Sequence, residues 1–212
     1  GSNTSFVNRI VNESLPASEV AEDPILKVQN TRPVAHAGIP LPRDLYGPQR
    51  KNSSGVNLAN ELSVESLAEQ MQRFAGRRWD VEPIVASSLI AQPGARSDKH
   101  NPAQFSDMVG TVTQASEQQI EKSISVARDY APDWNRVRPG TRADMLDRAA
   151  DLMEQNLPEL MVLCAREAGK TIRDAIAEVR EAVDFARYYA LQAREHFSQP
   201  TLMPGPTGES NE

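Results

Sequence analysis

Residues 169–171, Gly169-Lys170-Thr171, carry the ending of a phosphate-binding loop, in which clustered backbone amides and a lysine grip a phosphate. That loop needs a second glycine five positions earlier, where this chain has Cys164, and a strand leading into it, where "LMVLCAREA" has helical spacing. The triplet therefore reads as a joint between two helices, with Gly169 at one C-terminus and Thr171, followed by Asp174, capping the next. Cys164 sits on an apolar helix with no histidine near it in sequence, which suits packing better than nucleophilic work. His36, His100 and His196 are 64 and 96 residues apart, so spacing makes neither a metal site nor a triad, and no metal ligand is assigned. No glycine-rich dinucleotide fingerprint occurs. The remaining chemistry lies after the joint. Glu178, Phe185 and Tyr189 share a surface away from the apolar stripe Ile172, Ile176, Val179, Val183, Ala186, Ala190, Ala193 and Phe197. One carboxylate beside two rings suits a substrate pocket, or else a second packing face with Glu178 paired to an arginine.

The elements that must position these groups are mostly helical. Phe6, Val7, Ile10 and Val11 have helical spacing, and Pro16-Ala17-Ser18 opens a short turn before Asp23-Pro24. Prolines 33, 40, 42 and 48 make residues 30–57 an extended, solvated linker lying along a surface. Ser63 is expected to cap a helix carrying Leu62, Leu67, Met71 and Phe74 and stopping at Gly76. "IVASSLIAQ" and "DMVGTVTQAS" predict two edge strands. Ser116 and Gln119 predict a capping box for a helix with Ile120, Ile124, Ala127 and Tyr130 on one face, ended by Pro132. Thr141 with Asp144 predicts the next cap, with Met145, Ala149, Leu152 and Met153 as its buried stripe, before Asn156 restarts the chain as a helix over 158–168. The fold class expected for the segment is mainly α with a small β-hairpin or edge strands.

Composition narrows the function classes. The 212 residues are 39% hydrophobic and 25% charged, with net charge −6, mean hydropathy −0.51 and pI about 5.2. Basic residues are interspersed with acids, so no nucleic-acid surface is expected. One cysteine excludes an internal disulfide framework, and no run of about eighteen apolar residues would span a membrane. A cytoplasmic location is the corresponding expectation.

"REAGKTIRDAIAEVREAVDFARYYA", with "NPAQFSDMVGTV" and "RADMLDRAADLMEQN" upstream, resembles the opening of an aldehyde dehydrogenase domain, in particular the glutamate-semialdehyde dehydrogenase half of the proline utilization A family. "NTSFVNRI" and "IPLPRDLYGPQRKNSSGVNLANE" resemble the end of that family's proline dehydrogenase barrel and the connection that follows. The resemblance implies residues 3–29 as the tail of the proline dehydrogenase domain, 30–60 as a Pro-rich linker, and 61–212 as the first, incomplete part of a domain with the α/β aldehyde dehydrogenase fold. It implies a parent that uses FAD and NAD, neither bound by this segment, and whose catalytic cysteine, general-base glutamate and oxyanion-holding asparagine lie past residue 212. No catalytic residue is then expected here. Glu178 and Phe185 stand where the family's matching helix lines the aldehyde pocket, and are the substrate-binding candidates. The partner implied is the rest of the same polypeptide, with self-association of the isolated segment through uncovered apolar stripes. A self-contained helical interaction module and the front of another aldehyde dehydrogenase are the alternatives. "SQPTLMPGPTGESNE", expected to lack a compact finish, speaks against the module.

Overall fold

The computed structural model describes residues 11–21, 23–30, 38–84 and 93–211. The helical spacing read at Phe6, Val7 and Ile10, nearly all of "IVASSLIAQ", and His36 lie outside the described residues. The chain divides into two units, 1–41 and 42–212.

In the first unit, Pro16 precedes the short helix α1 (Ala17–Val20), as the proline-led turn predicts, and α2 (Pro24–Asn30) follows. The Asp23 carboxylate accepts the Ile25 amide at 2.8 Å and starts that turn. Ile25, Leu26 and Val28 are exposed.

The second unit is mainly helical, with a small three-stranded sheet. Its elements are α3 (Glu61–Gln72), β1 (Trp79–Val81), β2 (Arg96–Asn101), β3 (Gln104–Thr113), α4 (Glu117–Arg136), α5 (Pro139–Gln155), α6 (Leu157–Ala168), α7 (Ile172–Phe197), β4 (Met203–Pro204) and β5 (Ser210–Asn211). Two single 3-10 turns, Pro42–Asp44 and Gly47–Gln49, precede them. The core forms where α3, α5 and α6 meet α7. It gathers Leu67, Ala150, Met161, Ala175, Ile176, Val179 and Val183, with Met71, Met153 and Cys164 packed against them.

Caps predicted at three places are present. Ser116 and Gln119 exchange side-chain and backbone bonds at 3.3 and 2.9 Å, Gly169 takes φ 66° at the end of α6, and Thr171 Oγ1 accepts the Asp174 amide at 3.2 Å. Others moved. Asn60, not Ser63, caps α3, because the Asn60 carboxamide accepts the Ser63 amide at 3.1 Å. Helix α5 starts at Pro139 rather than at Thr141, proline supplying the φ of a first helical turn. Pro132 lies inside α4, which runs on to Arg136, since one missing N–H removes a single bond from the ladder. The segment 203–211 closes a two-residue antiparallel ladder where no compact finish was expected.

The buried face of α5 is also a correction. Met145, Ala149 and Leu152 are exposed, and Ala143 and Ala150 are buried against α7. Alanines let the two helix axes approach, and flanking acids meet arginines of α7. Arg194 reaches Asp144 and Asp147 at 2.6 and 2.7 Å. On α7 the middle of the predicted stripe is buried, and its ends, Ile172 and Phe197, are exposed.

The sheet order is β1-β3-β2, with β1 parallel and β2 antiparallel to β3. "DMVGTVT" is thus the central strand rather than an edge, and its antiparallel partner is the polar stretch 96–101. Arg166 of α6 fastens this sheet to the helices. Its guanidinium holds Asp107 by two bonds, at 2.6 and 3.0 Å, and the Arg77 carbonyl at 2.6 Å. The Arg166 bonds, joined by Asn101, hold the Asp107 carboxyl down from 3.8 to about 2. A depressed folded-state value stabilises the fold above the ordinary value and loses that contribution as pH falls from 3.8 towards 2. Asp107→Asn is therefore expected to flatten the acid limb of a stability-versus-pH curve in that window. An unchanged limb would count against the pairing.

Candidate functional site

Helix α7 offers two working faces, because 26 residues at 100° per step present a core stripe and leave the opposite arc free. The free arc carries Glu178, Glu181, Phe185, Tyr188 and Tyr189. Phe185 stacks on Tyr189 with centroids 6.2 Å apart, and Tyr188 meets Tyr189 edge-on at 5.2 Å. Phe185 is half exposed. The Glu178 carboxylate is paired with the Lys170 ammonium rather than with an arginine, and this pairing raises the Lys170 pKa above its ordinary value. The two sequence candidates, Glu178 and Phe185, therefore lie two turns apart on one exposed helix face.

The structure also seats on α7 a segment that the sequence reads as a linker lying along a surface, and it buries part of it. Residues 50–56, read as solvated linker, run into a polar notch between α5 and α7, where Asn52 and Ser53 are buried. Asp184 accepts the Ser53 amide at 2.6 Å and its hydroxyl at 2.8 Å. Arg180 Nε donates to Ser53 Oγ at 3.1 Å, and Glu154 accepts the Ser54 amide at 2.9 Å. Buried Arg187 joins the Asn52 carbonyl at 3.3 Å to Asp151 and Glu154 at 2.9 and 2.6 Å. Proline content gave the extended backbone correctly, but the buried destination depends on charged groups about 100 or more residues away, which no local pattern carries. Gly55 takes φ 69° where its Cα faces the Arg180 side chain, so a Cβ there would lie 3.2 Å from Nε.

Arg187→Met is expected to cost about 3 kcal/mol, the lower end for breaking a buried ion pair, because half-exposed Asp151 can return to water. Urea unfolding checks this. A midpoint equal to the parent's would mean that the strap is not held by this arginine.

The other candidates have structural partners. The amide of Lys170 donates to the Cys164 carbonyl at 3.3 Å, and Thr171 Oγ1 is engaged with Asp174 at 2.7 Å, so the Gly-Lys-Thr groups are occupied in closing one helix and opening the next. Burial, with the charge of Glu178, raises the Cys164 pKa, which keeps it a thiol at neutral pH. His100 bonds the Phe105 carbonyl at 2.9 Å and stacks on its ring, within the β2–β3 hairpin, and His196 bonds Gln192 at 3.0 Å. No described set of three or more His, Cys, Asp or Glu side chains is gathered in a metal-holding arrangement. No described helix is long and apolar enough to cross a membrane.

Comparison with known proteins places this arrangement. The model of the aldehyde dehydrogenase family matches residues 90–211. The bifunctional protein PutA of Klebsiella aerogenes is 44% identical over 213 residues, covering 96% of this chain and 16% of its own length. The 1-pyrroline-5-carboxylate dehydrogenase of Bacillus thuringiensis (strain Al Hakam) is 31% identical over 134 residues, 63% of this chain and 25% of its own. The crystal structure of proline utilization A from Bdellovibrio bacteriovorus is similar at a TM-score of 0.68 and 26% identity, over 96% of this chain and 20% of that one. The chain spans about one-sixth, 16%, of the length of the bifunctional relative.

Proposed function

The chain belongs to the aldehyde dehydrogenase family, and from that premise we propose that it is the linker and the opening portion of the semialdehyde-oxidising half of a bifunctional enzyme that converts proline to glutamate. The observation that carries this reading is the reach of the similarity. The bifunctional relative matches 96% of the chain, linker included, whereas the single-activity dehydrogenase matches 63%. The seating of residues 52–54 on α5 and α7 supports the same reading, since a linker bonded into the dehydrogenase helices is a working part of the domain.

In such an enzyme a cysteine thiolate attacks the aldehyde carbon and amide donors hold the oxyanion. FAD would accept the electrons of proline oxidation and NAD the hydride of semialdehyde oxidation. The single Gly-Lys-Thr turn offers neither group a free phosphate cradle, since its donors are engaged within the helix joint. The part of this chain is to bind and orient. Glu178 and Phe185 line the approach of the semialdehyde, the ring supplying an apolar wall and the carboxylate a hydrogen-bond acceptor.

The partner is the rest of its own polypeptide. Ile120, Ile124, Tyr130 and Trp134 of α4, with Met145 and Leu152 of α5, are exposed apolar groups that such a partner would cover, and through which the isolated chain would self-associate. A cytoplasmic location goes with this reading. The experiment is an assay of the full-length protein for NADH formation from glutamate semialdehyde. Formation with the semialdehyde supports the reading, and oxidation of other aldehydes alone overturns it.

A further inference from the structure

The strap in the notch between α5 and α7 is seated by polar pins and not by apolar packing. Gln49 to Ser54 carry no apolar side chain. The Ser53 and Ser54 amides donate to Asp184 and Glu154, the Asn52 carbonyl accepts from Arg187, and the Asn52 amide donates to the Arg43 carbonyl at 2.9 Å. Space remains beside both halves of the segment. Ser53, Ser54 and Gly55 border a recess of about 270 Å³ floored by Leu157, Val179 and Val183, and residues 48–51 border a second of about 250 Å³ next to Arg194. An unfilled seat forgoes dispersion contacts, so lifting the strap breaks few of them.

The groups that the strap would leave behind have partners without it. A buried charge that loses its partner is costly, but Arg187 keeps Asp151 and Glu154 whether or not Asn52 is present. Arg180 and Asp184 have Ser53 as their one hydrogen-bond partner among the described residues. They also stand four positions apart on α7, the spacing at which opposite charges on a helix pair directly. The serine hydroxyl therefore sits between two charges that close on each other when it leaves. Gly47 and Gly55 bound the strap, and both take left-handed φ, 66° and 69°. Glycine passes between that conformation and others without the steric cost of a Cβ.

We propose that residues 48–54 form a latch, which lifts from α7 as one piece about Gly47 and Gly55 while Arg180 and Asp184 pair with each other. Closed, the latch ties the linker to the helices at Ser53. Open, residues 47–55 are free to extend over up to roughly 25 Å, so the latch sets how much loose chain joins α3 to what precedes it. This inference stands on the seat alone and not on the function proposed above.

The test is hydrogen exchange of the full-length protein, read by mass spectrometry on peptides covering residues 49–55 and the middle of α7. The strap amides are expected to be protected, to exchange together, and to do so at least about a hundredfold faster than the α7 amides. Ser53→Ala, which removes the hydroxyl from between Asp184 and Arg180, should speed the strap about tenfold further and leave α7 and the melting temperature unchanged. Trypsin supplies a second reading, because cleavage after Lys51 needs the backbone on both sides of it free. In a brief exposure Ser53→Ala should be cut there about tenfold faster than the parent. Strap amides as slow as those of α7 would make the segment a fixed part of the domain, and strap amides as fast as an unstructured peptide would leave no closed state. Either result overturns the inference, and so does a variant in which strap and α7 speed up equally.

Discussion

Gly110→Ala is expected to push β1 off the sheet and to lower the melting temperature by roughly 6–12 °C, from a cost of about 3 kcal/mol for overpacking in a chain of this size. A Cβ at Gly110 would lie 1.9 Å from the Trp79 carbonyl oxygen and 2.8 Å from its carbon. Trp79 is the register partner of Gly110 in the parallel pair, and both offending atoms are backbone, so no side chain can rotate to relieve the contact. The damage should spread along a chain of bonds. The Trp79 indole donates to Glu159 at 2.9 Å, and Arg77 meets the same carboxylate at 2.9 Å. The Arg77 carbonyl in turn accepts from Arg166, which holds Asp107. Displacing β1 therefore loosens the arginine that joins sheet to helices. Gly140→Ala is the control, because a Cβ there meets nothing within 4 Å and alanine favours a helix, so it should be neutral or raise the melting temperature. Equal melting temperatures for the two variants would contradict the close approach.

The parts of this fold that were legible in the sequence are those decided by neighbours in the chain. The capping box at Ser116, the left-handed Gly169 and the Thr171 cap depend on residues within a few positions, and each is present. The middle of the α7 stripe was legible because large apolar residues repeat there at helical period. Helix α5 misled the same reasoning. Its buried positions are small alanines, and acids on either side are neutralised by Arg187 and Arg194 from another helix. Met145 and Leu152 gave the stronger apolar signal on a side that no described element covers. Strand β2 gave no strand signal because "RSDKHN" is polar, which suits the exposed edge it occupies.

At the site, the shared face of Glu178 and Phe185 was visible from spacing, and their role in substrate binding is a proposal. The lysine partner of Glu178 was within reach of sequence reasoning, eight residues away across the helix joint. The strap was not. Its contacts join residues 52–54 to acids and arginines about 100 to 135 positions on, and the composition of the linker gives only an extended path along a surface, not what it is buried against.

The second large effect is kinetic, and it bears on what α7 is for. Glu178 is about half exposed and pairs with a lysine that is a third exposed. Exposed pairs contribute little to stability, so removing this carboxylate should leave folding nearly untouched. Its loss should be felt by the substrate. The most direct measurement is therefore KM and kcat of the full-length enzyme carrying Glu178→Ala, with glutamate semialdehyde and NAD, beside its thermal melt. The account predicts KM raised about tenfold or more, kcat changed much less, and a melting temperature within about a degree or two of the parent. Unchanged kinetics would contradict it and leave Glu178 as a surface partner of Lys170.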